Sequence, residues 1–146
     1  MAEMAPPKLT RKELVDLLRA EFPEATHALG HHDIEEVWHG GARVRRPFHE
    51  RSLRPGGTVS GPVMMGLADF TLYVAVLASI GWVPLAVTTN LSINFLKKPA
   101  PRDLIAKARL LKLGKRLAVG EVEIRCDGDD EIVAHVTATY SIPPGR

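Results

Sequence analysis

The clearest pattern along the chain is an alternation of apolar and polar residues in its second half. At 87–95 the alternation is unbroken over nine residues, which predicts a strand with one buried face. Three further runs predict strands at 105–113, 118–126 and 132–142. Because short connections join these four consecutive strands, the pattern favours an antiparallel meander.

A helical spacing governs the start of the chain. Thr10 and Glu13 have the spacing of a capping box, and the apolar stripe between Leu14 and Phe22 predicts an amphipathic surface helix at about 10–21. Further along, residues 31–48 predict a β-hairpin that turns at two adjacent glycines, followed by a loop at 49–60.

A long apolar helix is predicted between the hairpin and the four strands. Gly61 suits its cap, Pro62 suits its first residue, almost every position at 63–80 is apolar or small, and Gly81 ends it. The uncharged run at 70–87 approaches the length of a membrane span. A glycine and a proline interrupt that run, however, so the pattern favours a helix buried inside a soluble protein.

Composition agrees with this architecture. The 146 residues are 45% hydrophobic and 25% charged, which is typical of a soluble globular chain, and we expect one domain over 1–146. The net charge of +2 gives little reason to expect nucleic-acid binding. A single cysteine, Cys126, excludes an intrachain disulfide and fits a cytoplasmic protein. One apolar helix against about five or six antiparallel strands predicts an α+β fold whose sheet wraps the helix.

Charge is distributed unevenly, and this singles out one residue. Asp69 is the only charged residue among 55–96, although an even spread of the chain's 36 charges would place about ten there. A lone carboxylate is costly to bury unless it is paired or hydrogen-bonded. Asp69 therefore either reaches a solvated edge or caps a loop, or it is held in a cleft as a base or nucleophile.

Gly61 is a second candidate for chemistry. A backbone N–H at a helix N-terminus can stabilise an oxyanion, although an ordinary glycine cap has the same appearance. Asp69 follows Gly61 by eight residues, about 12 Å along a helix, so one carbonyl group cannot touch both groups of one chain. If they cooperate, Gly61 of one chain must meet Asp69 of another across a two-fold axis. The hypothesis requires a homodimer and leaves open a dimer of dimers.

The residues around this pair resemble a known family. The segment GTVSGPVMMGLAD at 57–69 resembles the signature of PaaI-like hotdog-fold acyl-CoA thioesterases, roughly G-x-x-H-G-G-x-x-x-x-L-x-D. The segments TTNLSINFL at 88–96 and KPA at 98–100 resemble the strand after the helix in that family, and Gly114-Lys115 also matches. The resemblance covers about 48–142 and implies a hotdog fold.

The resemblance also implies an activity and roles for residues. The expected reaction is hydrolysis of an acyl-CoA or aroyl-CoA thioester to a free acid and CoA, without a separate cofactor or metal. The N–H at Gly61 would polarise the thioester carbonyl, and Asp69 from the second chain would activate water or attack directly. Thr88 matches a position that often carries a hydroxyl near the catalytic carboxylate.

Two departures from the family pattern keep alternatives open. Ser60 replaces a common His, and Arg54 replaces a common Asn; Pro62 stands at the second glycine. Together with Asn90, these three residues are expected to contact the substrate. The departures motivate an alternative, a non-catalytic acyl-CoA or lipid-binding hotdog protein. A hydratase is disfavoured because 50–96 contains no His.

Overall fold

The structure is a computed structural model that describes residues 5–23 and 32–144. A six-stranded antiparallel sheet, in the order β1-β2-β6-β7-β8-β5, wraps around one long helix, and β3 and β4 form a separate small hairpin. The elements are α1 (Arg11–Glu21), β1 (Asp33–Trp38), β2 (Gly41–Arg46), β3 (Leu53–Arg54), β4 (Thr58–Val59), α2 (Gly61–Ile80), β5 (Val87–Phe95), β6 (Leu104–Leu113), β7 (Leu117–Cys126) and β8 (Ile132–Ser141).

The surface helix α1 covers the β1 end of the sheet. Its predicted capping box is present: Glu13 N donates to Thr10 Oγ1 at 3.2 Å, and Thr10 N donates to Glu13 Oε1 at 3.1 Å. Arg11 Nε also donates to the carbonyl oxygen of Ile34 in β1 at 2.6 Å. The helix thereby protects an edge strand that would otherwise present free backbone groups.

The central helix α2 forms the core of the fold. Fourteen of its twenty residues are buried, so a helix that could span a membrane by length and composition is here the core of the protein. It begins at Gly61 with Ser60 as the N-cap, one residue earlier than predicted. Gly120 in β7 lets α2 approach closely, because a Cβ there would lie 2.5 Å from Leu72 and 3.0 Å from the carbonyl oxygen of Arg109.

The meander prediction is right for β6, β7 and β8 but wrong for β5. β5 pairs antiparallel with β8, from Val87 opposite Ser141 to Phe95 opposite Ala134, and does not contact β6 as a neighbour. The connection at 96–103 has eight residues, which permits the chain to cross the end of the sheet. β5 therefore becomes an edge strand with one free side.

The prediction of an unbroken period of two in β5 is also wrong at one point. The register shifts between Thr88 and Asn90, so a β-bulge interrupts the alternation. Thr88 consequently lies opposite Tyr140, and Leu91 opposite Ala138, which places both on the face towards α2. Without the extra residue, Thr88 and Leu91 would be on opposite faces of the sheet.

The segment predicted as a loop at 49–60 has local structure of its own. It contains a short 3₁₀ turn, Glu50–Ser52, followed by the β3–β4 hairpin. The backbone N–H of Ser60 donates to the carbonyl oxygen of Ser52 at 2.9 Å, which ties the end of the hairpin to the turn. This bond positions the chain just before the first residue of α2.

Candidate active site

The N-terminus of α2 lies in a cleft of about 330 Å³. Its lining comes from the hairpin β3–β4, from the first turn of α2, and from the end of β5 with the chain after it. The lining residues are Arg54, Thr58, Val59, Gly61, Met64, Phe95, Leu96, Lys97, Lys98 and Pro99.

Gly61 lines this cleft as the first residue of α2. The first N–H groups of a helix have no partner within the helix, and Ser60 makes no side-chain bond to the helix end. Pro62 contributes no N–H at all. A Cβ at Gly61 would lie 3.1 Å from Cζ of Phe95, so the absence of a side chain lets the ring pack closely beside this donor.

Three cationic side chains, Arg54, Lys97 and Lys98, line the same cleft. Lys97 donates to Glu131 at 2.7 Å and to Asp129 at 3.4 Å, and the bond to Glu131 is the main reason that its pKa is raised. Within residues 5–23 and 32–144, neither Arg54 nor Lys98 makes an ion pair. These two side chains are available to an anionic ligand.

Asp69 belongs to a second cluster, further along α2. Thr88 Oγ1 donates to Asp69 Oδ1 at 2.6 Å. The hydroxyl of Tyr140 lies 2.5 Å from the same Oδ1 and 2.7 Å from the backbone carbonyl oxygen of Asp69. Asp69 is partly buried, and the two hydroxyl groups contact its carboxylate.

Burial is the largest cause that raises the pKa of Tyr140 above its usual range, and the negative charge of Asp69 adds to it. The phenol is therefore neutral at physiological pH and donates a hydrogen bond.

The structure brings the predicted site residues together in two groups. Arg54 and Gly61 line the cleft, with Ser60 and Pro62 on either side of Gly61, whereas Asp69 and Thr88 form the separate hydroxyl–carboxylate cluster. Asp69 is absent from the cleft lining, as the spacing of eight residues along one helix requires. Asn90 lies outside both groups: it is exposed and pairs with Thr139 on the face away from α2.

Tyr140 is the site residue that sequence analysis misses. Its alternation with apolar residues in β8 assigns it to the core, where it is indeed 2% exposed. Only the pairing of β5 with β8 places it beside Thr88, and a meander would have put β5 elsewhere. In the described part of the chain, no group of three His, Cys, Asp or Glu side chains could hold a metal, and Cys126 is buried.

Comparison with known proteins identifies the family. The family profile of the thioesterase superfamily matches residues 56–133, which is more than half of the chain. The chain belongs to the thioesterase superfamily. The matched residues include the whole of α2 with Gly61 and Asp69, together with Thr88.

Comparisons with individual proteins support this family assignment. A solved structure from Silicibacter sp. TM1040, named as a thioesterase, is 44% identical over 97% of both chains, with a TM-score of 0.84. The Escherichia coli PaaI protein of the phenylacetic acid degradation operon is 25% identical over 90% of this chain and 97% of its own, with a TM-score of 0.73. A protein named as an esterase from Saccharolobus solfataricus is 29% identical over 93% of this chain and 87% of its own.

These comparisons confirm the expected fold and the PaaI-like resemblance. They support hydrolysis of a thioester as the general activity of this chain.

Proposed function

We propose that this chain is a homodimeric thioesterase that hydrolyses acyl-CoA or aroyl-CoA thioesters in the cytoplasm. The observation that carries the proposal is the separation of two complementary groups on one helix. Gly61 offers an oxyanion donor in a cationic cleft, and Asp69 offers an oriented carboxylate eight residues later, outside that cleft. Each group lacks its counterpart within one chain, and a two-fold axis supplies both.

The free edge of β5 supports the dimer. The nine residues of β5 carry no charge, although exposed edge strands of soluble proteins are commonly protected by charged residues. Four apolar side chains in and beside this strand are more than half exposed: Leu85, Val87, Phe95 and Leu96. Pairing of β5 with β5 of a second copy would cover this edge and continue the sheet. A dimer alone and a dimer of dimers both satisfy the requirement.

The two groups then divide the chemistry of hydrolysis. The carbonyl oxygen of the thioester accepts a hydrogen bond from the Gly61 N–H, which stabilises the negative charge that develops as the carbon is attacked. Asp69 of the other chain either takes a proton from the attacking water or attacks the carbon itself. If Asp69 acts as a base, the hydroxyl of water adds to the acyl carbon, the carbon–sulfur bond breaks, and the proton passes from Asp69 to the sulfur, which leaves as the thiol of CoA. If Asp69 attacks, the carbon–sulfur bond breaks first, and water then hydrolyses the anhydride between Asp69 and the acyl group, which supplies the proton for the thiol and restores the carboxylate. Both routes yield the free acid and CoA.

Two exposed cations that line the cleft favour a CoA ester over an ester without phosphate groups. Arg54 and Lys98 at the cleft can meet phosphate groups, which a CoA thioester carries and the corresponding N-acetylcysteamine thioester lacks. We therefore expect kcat/KM for a CoA thioester to exceed that for the matched N-acetylcysteamine thioester. Changing Arg54 and Lys98 to Gln should reduce that preference.

Steady-state hydrolysis of a panel of CoA thioesters tests the proposal. Asp69→Asn should lower kcat at least about 100-fold, because it removes a general base or nucleophile. Asp16→Asn is the matched control: this carboxylate lies on the exposed face of α1, paired with Lys12. Equal rates for Asp69→Asn and the native chain would contradict the mechanism. Binding that raises thermal stability without turnover would instead favour the non-catalytic acyl-CoA-binding alternative.

A further inference from the structure

The hydroxyl of Tyr140 makes two close contacts with Asp69. The side chain is 2% exposed, and a buried phenol needs a hydrogen-bond partner. Its hydroxyl lies 2.5 Å from Oδ1 of Asp69 and 2.7 Å from the backbone carbonyl oxygen of Asp69. Tyr140 therefore contacts the side chain and the main chain of Asp69 together, from a strand 71 residues away.

A second hydroxyl contacts the same carboxylate oxygen. Thr88 Oγ1 donates to Oδ1 of Asp69 at 2.6 Å, while no residue in 5–23 or 32–144 donates to Oδ2. The two carboxylate oxygens therefore differ in their hydrogen bonding. Oδ1 contacts two hydroxyl groups, whereas the lone pairs of Oδ2 remain available. Two donors from different strands also restrict rotation about both side-chain torsions of Asp69.

From this geometry we infer that Tyr140 is a positioning residue for thioester hydrolysis, which fixes the Asp69 carboxylate so that Oδ2 performs the reaction. The inference deepens the proposed function and rests on it. Tyr140 does not touch the substrate. It acts through Asp69, by limiting the carboxylate to one orientation before the thioester arrives.

The surroundings of Tyr140 hold its ring in place. Tyr73 stacks against it with ring centres 6.3 Å apart and an interplanar angle of 28°. The hydroxyl of Tyr73 donates to the carbonyl oxygen of Pro84 at 2.9 Å, and no hydrogen bond joins it to Asp69. Tyr73 and Tyr140 are the two tyrosines of the chain, and each hydroxyl donates a hydrogen bond. Only Tyr140 donates to Asp69, so Tyr73 is a matched control.

Tyr140→Phe, compared with Tyr73→Phe, tests the inference. A hydrogen bond to a charged group is removed in the first variant, so we expect kcat to fall about 10- to 100-fold while KM stays within about twofold. Tyr73→Phe should keep kcat within about threefold of the native value. Equal losses in the two variants, or a loss in Tyr140→Phe confined to KM, would overturn the inference because packing alone would then explain the effect.

A double-mutant cycle with Asp69→Ala makes the test specific. If Tyr140 acts through Asp69, Tyr140→Phe should cause no further loss of kcat once the carboxylate is absent. A further 10-fold loss in that background would overturn the inference.

The native chain, Tyr140→Phe, Asp69→Ala and the double variant also separate the positioning role of Tyr140 from the proposed function. If the native chain turns over no thioester, the proposed function fails, and thermal unfolding still tests the contact. Non-additive shifts in Tm for Tyr140→Phe and Asp69→Ala support the positioning of Asp69 by Tyr140, and additive shifts overturn it.

Discussion

Gly61→Pro removes the backbone N–H at the start of α2, which is the hydrogen-bond donor that the proposed mechanism needs. Proline is well tolerated as the first residue of a helix, and Ser60 before it already has an extended backbone, with ψ of 153°. Both Gly61→Pro and Gly61→Ala add a Cβ about 3.1 Å from Cζ of Phe95. Gly61→Ala is therefore the matched control that adds the steric contact and keeps the donor.

The expected magnitude follows from the role of that donor. Removing one oxyanion-hole donor lowers kcat about 10²- to 10³-fold, so we expect a loss in this range for Gly61→Pro. Gly61→Ala should lose much less, because the Phe95 ring has to move only by a few tenths of an ångström. The assay is steady-state hydrolysis of a CoA thioester, with circular dichroism and Tm showing that both variants are folded. Equal values of kcat for the Pro and Ala variants would refute the role of the N–H.

Two further predictions concern stability. Gly120→Ala places a methyl group against the side chain of Leu72 in α2. Urea unfolding should therefore show a free energy of unfolding about 1–3 kcal/mol lower than that of the native chain. Arg45 donates hydrogen bonds to Glu35 and Asp127, and these bonds are the largest causes that lower the pKa of both carboxyls. This stabilisation is lost as pH falls through the lowered pKa values of the two carboxyls. Arg45→Met should therefore have a lower free energy of unfolding than the native chain at pH 7, and the difference between the two proteins should shrink below about pH 4. A difference that stays the same at low pH would contradict this prediction.

Local patterns account for the parts of the fold that the sequence predicts well. The capping box at Thr10 and the apolar run of α2 depend on residues within a few positions of one another, and both elements appear as expected. The position of β5 depends instead on which distant strand it pairs with. Periodicity carries no information about that choice, and this is why the meander prediction is wrong for β5.

The same distinction applies to the site. Gly61 and Asp69 lie on one helix, so their separation can be read directly from the sequence. Thr88 reaches Asp69 only because a bulge in β5 turns it towards α2, and Tyr140 reaches it only because β8 pairs with β5. The contact of Thr88 cannot be predicted from a strand that is assumed to be strictly periodic. The contact of Tyr140 cannot be predicted because a tyrosine that alternates with apolar residues is assigned to the core.

The central claim is that each active site takes Gly61 from one chain and Asp69 from another. Mixing inactive Gly61→Pro and Asp69→Asn proteins, with subunit exchange by mild denaturation and refolding, tests it most directly. Half of the dimers are then mixed, and one of the two sites in each mixed dimer has both native groups. We therefore expect recovery of about a quarter of the native specific activity. No recovery, with exchange verified by mass spectrometry of the intact dimers, would contradict a site shared between chains.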